Sequence, residues 1–304
     1  IAQIITKYFC FIHNAWCNYT TGFTVGQINM GTYLFAIIDF SMSNLPIGVF
    51  DSGIGGLTVV KEIIRTLPNE SLIYLGDTAR VPYGTRNKDT INKFALELTK
   101  FLLKQKVKAL VVACNTMSAV SLSEIKRVAG GIPVIDVISP TVSFAVSTTQ
   151  ANVLGVVGTR ATMNSRAYQL QLKKKNKAIK ILGVACPLFV PLIEEGLIKD
   201  VSTKLIAREY LSVFNKSEID TLILGCTHYP LLRNLIAEIL GNKVLLINSA
   251  KPTSNELKRV LKEKNILSNK KPSYRFYVTD VYPKMQEMVD LIFDNKFPGE
   301  LKNV

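Results

Sequence analysis

Two cysteines stand where apolar runs end. "VACNTMSAV" spans Val112 to Val120 and "LGCTHYPLL" spans Leu224 to Leu232, each behind or within a stretch that reads as a buried strand. A hydrophobic core has no use for a cysteine followed by polar side chains, and His228 is one of only two histidines in 304 residues. A cysteine at a helix N-terminus is expected to have a lowered pKa, which makes its thiolate accessible. One such cysteine suggests a nucleophile. Two in matched positions suggest a thiolate and a thiol on opposite faces of one substrate carbon. One face then loses a proton, the other gains one, and configuration inverts. Exchange of the two roles lets the reaction run backwards.

Asp51, His228 and Glu194 are candidates to orient or tune the thiols. Small polar residues gather at the other strand-to-helix turns: Asp51-Ser52-Gly53, Tyr83-Gly84-Thr85, Asn115-Thr116, Thr159 and Thr227-His228. Free N–H groups and dipole ends at such turns suit a small molecule carrying carboxylates. The α-proton of an amino acid is weakly acidic. Without pyridoxal phosphate as an electron sink, positioning, desolvation and hydrogen bonds to the carboxylate must supply the help. Each residue also has a structural reading. Cysteine often fills cores, Asp51 could cap a helix, Glu194 could be a solvated helix carboxylate, and His228 alone could be a half-buried histidine. The matched pair decides for chemistry. Cys186, in the apolar stretch "ACPLFVP", reads as structural, and His13 has no partner.

The elements that must position these residues alternate. From Pro46 onward, short continuous apolar strands alternate with amphipathic helices, the pattern of parallel sheets covered on both faces. Strands are expected at Ile47–Phe50, Ser71–Leu75, Ala109–Ala113, Pro133–Val137, Asn152–Val157, Ile179–Val184, Thr221–Leu224 and Val244–Ile247. A single helix is expected over Ser118–Ala129, and Thr253-Ser-Asn-Glu256 reads as a capping box that starts another.

The halves also repeat. "LVVACNT" aligns with "LILGCTH", so that Cys114 and Cys226 lie 112 positions apart, and Pro140 and Pro252 keep the same spacing. Val81-Pro82 faces Val190-Pro191 at 109, and Gly48 faces Gly155 at 107. Four strand ends in register, with small drift for loop changes, predict two similar α/β domains that present Cys114 and Cys226 across one cleft. The expected division is residues 45–138 plus 249–304 for the first domain, completed by a strand in "YRFYVTD", and 139–248 for the second. Residues 1–44 are expected to be an N-terminal extension that is disordered or not native. Within it, 1–41 carry only two formal charges, Lys7 and Asp39, and Met42 is the expected natural start.

Composition narrows the classes. The formal net charge is +14. The lysines are scattered without a basic stripe or interleaved aromatics, which argues against nucleic acid. "DSGIGG" lacks the spacing of a dinucleotide loop, and no ribose-binding acid follows it. Five sparse cysteines are not a disulfide framework, no CxxC or metal-ligand spacing occurs, and no metal is expected. No apolar run is long enough to span a membrane, and a reducing cytoplasm is the expected setting. A carboxylate-binding protein without catalysis would not need a thiol on each face. A thiol oxidoreductase would want closely spaced cysteines.

Several motifs in order, "VFDSGIGGLTV", "DTARVPYG", "ACNTMSA", "VGTRAT" and "LGCTHYPLL", make the chain resemble glutamate racemase of the cofactor-independent aspartate/glutamate racemase family from about Leu45 to Asn295. The resemblance implies two flavodoxin-like domains with the site between them and no cofactor. It implies Cys114 and Cys226 as the acid/base pair, with Asp51, Glu194 and His228 assisting. It implies a substrate site from Asp51, Ser52, Tyr83, Gly84, Asn115, Thr116, Thr227 and His228, with Thr159 and Thr162 nearby. By the family's pattern, Cys114 acts on D-glutamate and Cys226 on L-glutamate. The resemblance further implies a cytoplasmic homodimer that supplies D-glutamate for peptidoglycan, and hence for the cell wall and cell shape. Aspartate racemases of the group differ at the position of His228, where they carry glutamate.

Overall fold

A computed structural model of the chain describes residues 42–304. The expectations on residues 1–41 lie outside the described residues. All strand pairs are parallel. The first sheet holds β1 (Ile47–Asp51), β2 (Leu72–Gly76), β3 (Ala109–Val112) and β4 (Val134–Asp136). The second holds β5 (Val153–Gly158), β6 (Lys180–Ala185), β7 (Thr221–Gly225) and β8 (Leu245–Asn248). Their orders are the same: β2-β1-β3-β4 in one and β6-β5-β7-β8 in the other, the flavodoxin-like arrangement. The first sheet gains two strands beyond β2, namely β9 (Tyr274–Val278) and β10 (Leu301–Asn303). β9 is the strand expected in "YRFYVTD". β10 is short, polar and at an edge, and its sequence carries no apolar alternation.

The repeat extends to individual pairs. Gly48 pairs with Leu110 in the first sheet and Gly155 with Leu222 in the second. Both glycines make room for the leucine beside them: a Cβ would stand 3.1 Å from Leu110 Cδ2 at Gly48 and 2.6 Å from Leu222 Cδ1 at Gly155. The strands β4 and β8 end alike. Asp136 Oδ1 accepts from the N–H groups of Ile138 and Ser139, and Asn248 Oδ1 accepts from that of Ala250. These caps start α5 (Ile138–Thr148) and α11 (Ala250–Glu263). The two helices then cross over. α5 packs on β7 and β8 of the second sheet, and α11 packs on α1 (Leu57–Thr66) of the first.

The central strands β1, β2, β3 and β7 are buried throughout, as continuous apolar runs require. β6, at an edge, is half exposed. The remaining helices are α2 (Lys88–Lys104), α3 (Asn115–Val120), α4 (Leu122–Ala129), α6 (Arg160–Ser165), α7 (Ala167–Lys175), α8 (Phe189–Glu194), α9 (Val201–Leu211), α10 (Arg233–Leu240) and α12 (Met285–Phe293).

Two expectations fail. The helix expected over Ser118–Ala129 is two helices, α3 and α4, broken at Ser121, whose φ of −115° leaves the helical range and whose hydroxyl turns to Asn92. The capping box at Thr253 does not form. α11 starts three residues earlier, and Thr253 Oγ1 instead donates to the Ser249 carbonyl one turn back; helix-compatible Ala250 and Lys251, with Pro252 tolerated in the first turn, extend it.

One buried ion pair ties distant segments of the first sheet's half. Lys108 Nζ lies 2.6 Å from Glu70 Oε2, with both side chains out of solvent. The ammonium also donates to the carbonyls of Ser43 and Ile266, and Glu70 Oε1 accepts from the Ser268 amide. Shared hydrogen bonds of this kind offset the cost of burying two charges. Among the described residues, no helix is long and apolar enough to cross a membrane.

Candidate active site

Parallel strands deliver their carboxyl ends to one edge of a sheet. Asp51 ends β1, Cys114 follows β3, Thr159 follows β5 and Cys226 follows β7. Side chains from both sheets close around a cavity of about 40 Å³. Cys114 and Cys226 both line it, and both are buried free thiols. Ser52, Tyr83, Gly84, Thr85, Asn115, Thr116, Thr159, Arg160, Thr227 and His228 supply the rest of the polar lining. Three expected site residues stand behind this lining: Asp51, Thr162 and Glu194.

The Cys114 side is governed by burial. Its Sγ donates to Ser52 Oγ at 3.4 Å. Asp51, behind Ser52, is fully buried, and its Oδ2 accepts from the N–H groups of Gly53 and Gly56. It thus ties the turn before α1 together, but the N-cap position of that helix belongs to Gly56 and not to Asp51. Its Oδ1 has no partner among the described residues. Burial pushes the Asp51 carboxyl up, against the charge of His228 and the amides. Burial, reinforced by the Asp51 charge, pushes the Cys114 thiol up to about 12. The expected lowering by a helix N-terminus is therefore overturned at Cys114. α3 is only six residues long, and its amide at Met117 is outweighed by desolvation.

The Cys226 side carries a relay. Cys226 opens onto a 3₁₀ turn, Tyr229–Leu232, and not directly onto an α-helix. His228 Nδ1 lies 3.9 Å from Cys226 Sγ, and its Nε2 lies 3.0 Å from Glu194 Oε1. Burial alone would push His228 down. The hydrogen bonds and charges of Cys226 and Glu194 outweigh it and hold the imidazole well above its ordinary value, as an imidazolium. The neighbouring Glu195 points elsewhere and pairs with Lys284 at 2.8 Å.

The two sheets meet through close contacts at this site. A Cβ on Gly55 would stand 2.4 Å from His228 Nδ1, and one on Gly84 would stand 2.6 Å from Thr159 Cβ. Only glycine lets these loops approach so near. Thr58 Oγ1 donates to the Thr227 carbonyl at 3.1 Å. The hydroxyls of Thr116, Thr159 and Thr162 form a triangle with sides of 3.0 to 3.3 Å. Tyr83 is held by a hydrogen bond from its hydroxyl to Asp77, which also accepts from Arg80 and Thr279.

Sequence reasoning missed Val81, Pro82, Arg160, Pro187 and Val190 in the wall. The repeat could have found Arg160, since the offset of 107 sets it opposite Gly53. Cys186 stands fully buried away from the lining, with burial pushing its thiol up. Among the described residues, no group of His, Cys, Asp and Glu could hold a metal ion.

Known proteins share this architecture. The chain is similar to the glutamate racemase of Chlorobaculum tepidum, 45% identical over 258 residues that cover 84% of this chain and 95% of that one. It is 48% identical to the glutamate racemase of Neisseria meningitidis serogroup A over 238 residues, 78% of this chain and 88% of that one. Among solved structures, glutamate racemase from Francisella tularensis in complex with D-glutamate superposes with a TM-score of 0.81 at 47% identity, over 86% of this chain and 98% of that one. The family model described as Asp/Glu/Hydantoin racemase matches residues 47–254. With two thirds of its length under that model and its fold shared with solved racemases, the chain belongs to the Asp/Glu/Hydantoin racemase family.

Proposed function

We propose that this chain is a glutamate racemase that moves the α-proton between two thiols without a cofactor. The observation that carries the reading is that two free, buried cysteines, one from each half of the repeat, line the same cavity. The Cys226 thiolate, held beside the His228 imidazolium, takes the proton from one face of the α-carbon. The Cys114 thiol, kept protonated by burial, gives its proton to the other face. Charge that builds on the α-carbon spreads into the carboxylate, where the Asn115 amide and the Thr116 and Thr227 hydroxyls supply hydrogen bonds. Glu194 holds the imidazole, and the Asp51 charge opposes ionisation of Cys114. In the reverse direction the thiols exchange roles. By the family's pattern Cys226 serves L-glutamate and Cys114 serves D-glutamate.

The reading takes residues 45–138 with 249–304 as one lobe and 139–248 as the other. Sheet membership and the crossing of α5 and α11 support this division. It extends to a cytoplasmic homodimer that supplies D-glutamate for peptidoglycan, with sedimentation as the check on the dimer. The test of activity is circular dichroism of L-glutamate with purified protein under reducing conditions. The expected result is decay of the signal to zero. A flat trace with folded protein would sink the reading, and decay with aspartate alone would move the substrate and keep the two-thiol mechanism.

A further inference from the structure

Tyr168 lies on α7, outside every motif that drew attention in the sequence, and it does not line the cavity. It is nonetheless fully buried and spans the distance between the two cysteine-bearing turns. Its ring lies against Gly225, the residue before Cys226: a Cβ there would stand 3.0 Å from Tyr168 Cε2. Its hydroxyl donates to Oδ1 of Asn115, the residue after Cys114, at 2.7 Å. α7 belongs with the second sheet and α3 with the first, so this bond crosses between them.

The bond has a chemical consequence at Asn115. The side-chain amide has one acceptor and one donor end. With Oδ1 occupied by the phenol, the NH₂ end is the one left over. Asn115 lines the cavity, and its buried Nδ2 has no partner among the described residues. Turning the amide over would strip the phenolic proton of its acceptor and present an oxygen to an anionic ligand. Burial, then the charges of Asp136 and Cys226, push the Tyr168 phenol up, so it stays a donor.

We propose that Tyr168 is a positioning residue that locks the Asn115 amide with its NH₂ group turned to the substrate carboxylate, while its ring braces Gly225 beside the opposite thiol. This rests on the racemase reading. Tyr168→Phe keeps the ring and removes the donor. Because the equilibrium constant of a racemisation is one, kcat/KM must fall equally for L- and D-glutamate. The expected fall is about tenfold, the worth of one well-placed hydrogen bond, and it resides in KM more than in kcat. In the Asn115→Ala background the same substitution is expected to change kcat/KM less than about twofold, since the group it acts through is gone.

The experiment measures all four proteins, the parent, Y168F, N115A and the double variant, with both enantiomers, and follows folding by far-ultraviolet circular dichroism. Equal losses from Y168F in both backgrounds, or a parent-like KM in Y168F, would overturn the proposal. Should Y168F not fold, Asn115→Ser decides, because a parent-like KM there removes the role that Tyr168 is said to support. A parent that racemises neither enantiomer overturns the racemase reading and this one with it. An active parent with an unaffected Y168F overturns this one alone.

Discussion

The two halves of this molecule share strand order, register and the position of a cysteine, yet they surround the two thiols differently. Cys114 has a neutral hydroxyl partner, Ser52, and a buried carboxyl behind it. Cys226 has a buried imidazolium, itself held by Glu194. The first setting favours a thiol, and the second places a histidine of raised pKa beside the sulfur. Backbone symmetry brings two cysteines to one cavity, and side-chain asymmetry gives each a different neighbour.

The comparison is tested most severely by removing either thiol. Cys114→Ala and Cys226→Ala are each expected to slow racemisation by roughly 10²- to 10⁴-fold. In D₂O, each variant should still exchange the α-proton of one enantiomer only, L-glutamate for C114A and D-glutamate for C226A, as seen by proton NMR. Exchange of both enantiomers by one variant would show that the thiols do not command separate faces.

A smaller effect is expected from the supporting groups, and it should be unequal. His228→Asn is expected to lower kcat about 10²-fold, because the imidazolium bonds the thiol directly. Asp51→Asn should cost about tenfold, since Asp51 reaches Cys114 only through its charge and through Ser52. Glu194→Gln removes a carboxylate that favours the imidazolium, so His228 loses its proton at lower pH. The alkaline limb of kcat/KM should then shift to lower pH, and an unmoved limb would dissociate Glu194 from His228.

The smallest effect concerns stability. The Cys114 thiol is pushed up to about 12 in the folded chain, whereas an unfolded cysteine ionises near ~8.5. A group raised on folding contributes its stability below the unfolded value and loses it as pH climbs toward the folded one. Chemical denaturation of the parent should therefore lose about 2 kcal/mol between neutrality and pH 10 from this group alone. C114A should lack that slope, whatever its absolute stability. Parallel pH dependences in parent and C114A would mean that Cys114 ionises freely in the fold.

Much of this was legible in the chain because repetition exposes register. Gly48 and Gly155, and Cys114 and Cys226, mark equivalent strands in the two halves. The aligned small polar residues at their ends supplied most of the cavity wall. What escaped depends on three-dimensional surroundings. The helix terminus that should activate Cys114 is present, but desolvation outweighs it, and burial cannot be read from a six-residue segment. The break at Ser121 follows from a hydroxyl finding Asn92 across a packing interface. Tyr168 lies outside every motif, and its contact with Asn115 spans 53 positions of sequence.

The strand order of the first sheet has a consequence for synthesis on the ribosome. β2 lies between β1 and β9, and β9 begins only at Tyr274. The whole second sheet, from Val153 to Asn248, is translated before that strand exists. At about 5–20 residues per second, the apolar edge of "LIYLG" therefore waits on the order of 10 to 40 seconds for its neighbour. An unpaired strand edge invites pairing with another chain. The half of the protein whose translation starts first is thus the half completed last, and its nascent form is the one in need of shelter from neighbouring chains.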